Sequence, residues 1–348
     1  MYNFPDNRKI SGFNFARICD FVFSESMTHE QFKTIDRSNI EILYNSKNMI
    51  YYKASRLILN DNDIVYTNPV DAVLLFKYLK NLKFIKNIVL VTSQTDEPVT
   101  KKLFEKKPKI ISKWFATNVA YNHEDLVPIP LGIANNYSPK NLLINNFSSQ
   151  KKDTPKIKKL YINMQKNTNR TLRGSLEEYF SKFEWVEIDE PNLTLEEYLT
   201  KLKQHKYILC PQGNGYDTHR IWESLYAGST PVVLKNQTHS NLKNLPIIFV
   251  DKFEDLSLQV LDEEYEKVKN SNYRELDINY WKSEFSKIKN QEEEASEVIE
   301  KFKYYEIYYF KKRRIIGKIL NFYKKVKYIF YQLTKNLKIK NKRLRLKK

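Results

Sequence analysis

In the stretch YILCPQGNGYDTHRIWESLYAGSTP, residues 207–231, three of the chain's seven glycines (Gly213, Gly215 and Gly228) sit beside Asp217, Thr218, His219, Arg220 and Glu223. A Gly213-Asn214-Gly215 turn between a strand and a helix delivers backbone N–H groups with no side chain in the way. A helix N-terminus concentrates positive potential at the same place, so the chemistry on offer is anion binding, and a pyrophosphate fits it. Arg220, in the first turn, adds a forked cationic donor. Glu223, three residues on, shares a helix face with Arg220, and a carboxylate there suits paired ribose hydroxyls. The same residues also fit a plain tight turn followed by a helix-surface ion pair. Neither a GxGxxG, whose third glycine would fall at Thr218, nor a P-loop is present.

The elements that must position these groups are legible around them. Residues 207–210 read as a short buried strand. Asp217 reads as an N-cap accepting the Arg220 N–H, 218–227 as an amphipathic helix with Ile221 and Leu225 on one face, and Gly228 as its C-cap glycine. Residues 230–234 follow as the next strand, completing a βαβ unit. The same alternation runs through most of the chain. NDIVYT (62–67) and NIVLVTSQTD (87–96) read as strands, with a helical pattern at 70–82 between them. Further short apolar runs lie in PKIISKWFATN and DLVPIPLGIAN. A polar stretch with Pro139 and Pro155, residues 135–159, is the best linker. A second alternation fills 160–250: strands at KLYINMQ, WVEID, YILCPQ, PVVL and IIFV, with helices at NTNRTLRGSLEEYFSKF and TLEEYLTKLKQH. This pattern predicts two α/β domains with parallel sheets, one over 1–150 and one over 151–260. A helical segment without strand signals, 261–302, is expected to pack back on the body.

The charge is not evenly spread. Of the net +18, residues 303–348 carry +16, from seventeen Lys/Arg against one acid, Glu306. The body is therefore near neutral, and the charge speaks for the tail. Ile315, Ile319, Phe322, Val326, Phe330, Leu333 and Leu337 recur at helical spacing there, with lysines and arginines between. A basic amphipathic helix with aromatic residues predicts an in-plane anchor on an anionic membrane surface. Binding to nucleic acid, or packing on the body or a partner, are the rival readings of the tail. Cys19 and Cys210 lie far apart and make neither a metal spacing nor a disulfide framework. The N-terminus lacks a basic segment followed by an apolar one, and no apolar run reaches about 18 residues, so neither a secretory signal nor a membrane span is expected. The expected place is the cytoplasm, at the cytosolic face of a membrane.

The segment CPQGNGYDTHRIWESLYAGSTPVV resembles the C-terminal signature of the exostosin-like and related glycosyltransferases of two-domain GT-B architecture. LVTSQTDEPV, VPIPLGIANN and LYINMQKNTNRTLRG are similar to further stretches of that family, together spanning much of 12–250. The chain departs from the pattern at Ser93-Gln94, where the family carries His-Asn. The resemblance implies two Rossmann-like domains facing a cleft, with a nucleotide-sugar diphosphate on the Gly213–Thr218 amides and Arg220 balancing its charge. His219 falls with donor binding, Glu223 at the ribose, and Arg170, Arg173 and Lys166 become further phosphate candidates. Tyr216 or Trp222 are candidates to cover the base, although Trp222 equally suits the core. No metal or other cofactor is expected, because helix amides and basic side chains carry the leaving-group charge. An inverting transfer needs a base from the first domain: Asp96, in the TSQTD loop, is the first candidate and His123 the second. His29, His205 and His239 receive no role. The implied activity is transfer of a sugar from a nucleotide-sugar to a glycan or lipid-linked acceptor. The competing functions are a non-catalytic nucleotide-binding or scaffold protein, and a nucleic-acid-binding protein acting through its tail.

Overall fold

The strands at the centre of the first sheet carry nearly continuous runs of apolar side chains. β5 (Ile64–Thr67) and β6 (Ile88–Thr92) are buried along their whole length, as expected for parallel strands covered on both faces. The computed structural model describes residues 4–148, 155–288 and 295–300, together with Ile315, Ile316, Ile319, Phe322, Tyr323, Val326 and Lys327. It is an α/β protein with two main sheets, both inside one compact unit, residues 1–299.

The first sheet has seven strands in the order β2-β3-β1-β5-β6-β7-β8. Here β1 is Phe21–Met27, β2 Ile40–Asn45, β3 Ile50–Ala54, β7 Ile111–Ala116 and β8 Leu126–Pro128. β1, β5, β6, β7 and β8 run parallel, while β2 and β3 add an antiparallel edge. The second sheet is parallel throughout, ordered β10-β9-β11-β12-β13. Its strands are β9 (Ile157–Ile162), β10 (Val186–Ile188), β11 (His205–Leu209), β12 (Thr230–Leu234) and β13 (Ile248–Val250). Its connecting helices start at clear signals. Asn169 caps α5 (Arg170–Phe180), and a Thr194–Glu197 capping box opens α6 (Leu195–Gln204). α7 (His219–Tyr226) links β11 to β12 and buries six of its eight residues. The remaining helices are α1 (Gly12–Arg17), α2 (His29–Lys33), α3 (Ala72–Leu79), α4 (Lys101–Phe104), α8 (Leu258–Val268) and α9 (Ile278–Ser286).

One core joins the two sheets. Phe15, Phe115 and Leu131, from the part of the chain that forms the first sheet, share it with Tyr161, Ile208 and Trp222 from the part that forms the second. α9 reaches back into the same core. Phe285 meets Phe115 at 4.6 Å and Trp281 meets Phe15 at 6.3 Å, ring centre to ring centre. Each such buried aromatic contributes about 2 kcal/mol or more by removal from water. The Tyr226 hydroxyl accepts from the Ile10 amide and donates to the Leu276 carbonyl, each at 2.7 Å, tying three distant segments.

The segment expected to be helical without strands, 261–302, differs in one respect. Ser296–Glu300 is a strand, β14, paired with β4 (Arg56–Asn60) in a two-stranded sheet. β4 alternates exposed and buried residues, so only one of its faces packs on the core. Residues 300–348 form a second compact unit. Within it Ile315, Ile316, Ile319, Phe322, Tyr323, Val326 and Lys327 are helical and exposed. Phe330, Leu333 and Leu337 of the expected stripe lie outside the described residues.

Candidate functional site

The loop from β11 to α7 is shaped by what it packs against. At Gly213 a Cβ would come within 3.0 Å of the Arg173 guanidinium, and at Gly215 within 2.8 Å of the Asn118 carboxamide oxygen. Both glycines therefore permit close approach inside the protein, in addition to baring the backbone. Gly228, at φ +75°, ends α7 in the left-handed conformation that favours glycine.

Asp217 departs from its expected role. The residue that caps α7 is Thr218, and it makes no side-chain cap hydrogen bond. Asp217 is instead buried, at 2% exposure. Its Oδ2 accepts the Leu131 amide at 2.8 Å, its Oδ1 accepts the Thr218 amide at 2.7 Å, and both oxygens take the Trp222 indole N–H at 3.0 and 3.1 Å. The Asp217 amide is itself bound to Asn118 Oδ1 at 2.8 Å. The expected cradle over 213–218 is corrected accordingly: the amides of Asp217 and Thr218 are occupied by the protein's own groups. Among the described residues, those of Gly213, Asn214, Gly215 and Tyr216 have no acceptor, and neither do those of His219 and Arg220 at the start of α7.

Two further donors at that end are unpartnered. Arg220 Nε and Thr218 Oγ1 are buried with no hydrogen-bond partner, a costly state unless a ligand or water completes it. Burial works against the Arg220 charge, but Tyr198, Cys210 and Glu223 beside it leave the guanidinium more firmly protonated than usual. Burial, and then the neighbouring Arg220 charge, pull Arg173 down to about 10. Two guanidiniums thus repel one another beside unsatisfied N–H groups, an arrangement that an anion relieves. Arg173 is also a brace: its guanidinium donates to the carbonyls of Pro211 at 2.8 Å, Gln212 at 3.2 Å and Gln165 at 3.1 Å.

The other expected residues fall in different surroundings. Glu223 is buried, and its Oε2 accepts from the Tyr198 hydroxyl at 3.0 Å. Burial raises its affinity for a proton, opposed by Arg220, His219 and that hydrogen bond. His219 Nδ1 donates to the Gly132 carbonyl, in the segment after β8, at 2.7 Å, which places a ring proton on Nδ1. Lys166 pairs with Glu177 at 2.7 Å and Glu190 at 3.6 Å, so two carboxylates already compete for its charge. Arg170 stands half-buried at the start of α5. Trp222 is fully buried and belongs to the core, whereas Tyr216 is 38% exposed.

Across from α7, Asp96 is exposed on the loop that leaves the C-terminal end of β6. It does not cap the following helix, since Thr100 does. Gln94 has φ 72° and bonds both backbone groups of Ser26 through its carboxamide. His123 lies elsewhere. It precedes β8, at the start of that strand, and its Nδ1 accepts the Asp125 amide at 3.0 Å. The loops that meet the β11–α7 turn leave the opposite ends of β7 and β8, so His123 is not brought to the site.

Sequence reasoning missed Asn118, Leu131 and Tyr198. Asn118 and Leu131 act through groups that carry no pattern, a carboxamide after a strand and a backbone amide. Tyr198 reads as an ordinary apolar-face residue of α6. Among the described residues no three His, Cys, Asp or Glu side chains gather as a metal-binding group.

Residues 171–302 match the family model described as the RXYLT1 C-terminal domain. The match supports a glycosyltransferase family. It begins within α5 and takes in Arg173, the β11–α7 turn and Arg220 to Glu223. No curated protein matches the chain.

Proposed function

We propose that the chain is a glycosyltransferase of the two-lobed GT-B kind, transferring a sugar from a nucleotide-sugar to a glycan or lipid-linked acceptor with inversion. The observation that carries this reading is the set of unsatisfied donors at the start of α7, namely the free amides, Thr218 Oγ1 and Arg220 Nε, within the segment matched by the family model. These groups suit the diphosphate of the donor. Arg220, with Arg173 behind it, offsets the charge that grows there as the bond to the anomeric carbon breaks, so the reading needs no metal.

In the transfer, the bond between the anomeric carbon and the diphosphate oxygen breaks, and its electron pair leaves with the nucleoside diphosphate. The acceptor hydroxyl oxygen forms the new bond to that carbon from the opposite face. Its proton passes to Asp96, which is exposed at a strand end, where ligands of parallel sheets gather. His219 is assigned to the donor side of the site and Glu223 to the ribose side, acting with Tyr198.

The basic tail is assigned to an anionic membrane surface at the cytosolic face. Seven described residues between 315 and 327 are helical and exposed, and six of them are apolar or aromatic. Each Lys or Arg near anionic lipid contributes about 1 kcal/mol. No described helix is long and apolar enough to cross a membrane.

A thermal-shift panel of nucleoside diphosphates and nucleotide-sugars tests the activity. The reading expects at least one of them to raise the midpoint in proportion to the logarithm of its concentration, by mass action on the native state. No shift with any of them at millimolar concentration would remove it.

A further inference from the structure

Asn118 is wholly buried, follows β7, and holds a left-handed backbone at φ 55°, a conformation asparagine tolerates better than most residues. Its carboxamide faces two ways. Nδ2 donates to the Thr95 carbonyl at 2.9 Å, immediately before Asp96. Oδ1 accepts the Asp217 amide at 2.8 Å, inside the β11–α7 turn. Gly215 approaches so closely that a Cβ there would lie 2.8 to 3.1 Å from the oxygen, nitrogen and carbon of the same carboxamide. One planar group, bonded through both its nitrogen and its oxygen, therefore joins the loop of the first sheet that carries Asp96 to the turn of the second sheet that carries the unsatisfied amides.

We propose that Asn118 is a positioning residue that holds the 93–98 loop and the 213–218 turn in register, so that occupancy of one is felt in the other. Its catalytic meaning rests on the transferase reading above, in which these loops carry the base and the donor phosphates. The register itself follows from the two hydrogen bonds and the close approach of Gly215.

The test is hydrogen exchange on the full chain, with and without pyrophosphate, in the wild type, Asn118→Ala and Asn118→Asp. Without ligand, the proposal expects the bonded amides of the two segments, Glu97 in 93–98 and Asp217 and Thr218 in 213–218, to exchange together about tenfold faster in Asn118→Ala, while peptides from β6 and β11 keep their protection. Asn118→Asp keeps the acceptor for the Asp217 amide and tolerates the same backbone, but sets a carboxylate oxygen against the Thr95 carbonyl. It should loosen 93–98 more than 213–218, and it serves if the alanine variant does not fold. With pyrophosphate, the wild type should gain protection in both segments, and Asn118→Ala only in 213–218. Faster exchange confined to one segment of Asn118→Ala, or pyrophosphate protection of 93–98 that survives that substitution, would overturn the proposal. A wild type that gains no protection from pyrophosphate counts against the donor site instead, and the ligand-free comparison still decides the register.

Discussion

The Asp217 carboxylate, on the turn of the second sheet, accepts the Leu131 amide, from the segment that follows β8 of the first sheet, at 2.8 Å. The same carboxylate holds the Thr218 amide and the Trp222 indole. An aspartate in the middle of the β11–α7 turn is thus a staple between segments of the two sheets, and its carboxylate is bonded by three donors. Asp217→Ala leaves those buried donors unpaired and should destabilise the chain by on the order of 3 kcal/mol, read as a lower urea midpoint. A midpoint within error of the wild type would show that the staple contributes nothing.

Arg220 is the charged donor best placed to hold an anion at α7. Arg220→Ala should weaken nucleoside diphosphate binding about 10- to 100-fold, as expected for loss of a charge-assisted hydrogen bond. Arg220→Lys keeps the charge but not the forked donor, so its binding should fall between the two, measured by calorimetry.

Glu25 is buried in β1 beside Arg17 and Tyr52, and burial raises its proton affinity above the ordinary value of 4.5, opposed by Arg17 and Tyr52. A carboxyl with a raised value binds its proton more tightly folded than unfolded. Its contribution to stability is present at low pH and is lost as pH climbs from 4.5 through the raised value. Glu25→Gln removes that titration. Stability measured from pH 4 to 8 should therefore show the variant gaining on the wild type as pH rises, by at most about 1.4 kcal/mol per pH unit. A constant difference across the range would contradict the assignment.

Cys210 lies at the end of β11, and burial pushes its thiol up to about 12. Little thiolate exists there near neutrality. Alkylation of the native chain, followed by peptide mass mapping, should leave Cys210 unmodified until denaturant is added, with any native labelling confined to the half-buried Cys19.

The tail is tested by truncation. Deleting 303–348 should abolish sedimentation with vesicles containing phosphatidylserine and leave the thermal response to nucleotides intact. Vesicle binding that persists in the truncated chain would sink the membrane assignment, and binding to RNA but not to vesicles would favour the nucleic-acid reading of the same charges.

Much of the architecture was legible because it rests on local pattern. The apolar runs at β5, β6 and β12 and the TLEE cap of α6 lie within a few residues of one another, and propensity and periodicity report on that scale. The β2–β3 edge and the β4–β14 pair were not read. β14 pairs with a strand more than 200 residues away, and nothing in SEVIE announces its partner. The site divides in the same way. Gly213, Gly215 and Arg220 stood out through type and spacing. Asn118 did not, because its function comes from joining residues 23 and 99 positions away. Asp217 was legible as a residue of consequence, yet its burial against Leu131 reversed the expected role, and only packing between the lobes reveals that.

Anion binding at α7 is the property on which the proposed activity depends. Calorimetric titration of the wild type and of Arg220→Ala, with the nucleoside diphosphate that gives the largest thermal shift, measures it most directly. The account predicts saturable one-to-one binding by the wild type and a loss of at least about tenfold in the variant. Equal affinities in the two proteins, or no binding in either, would contradict it.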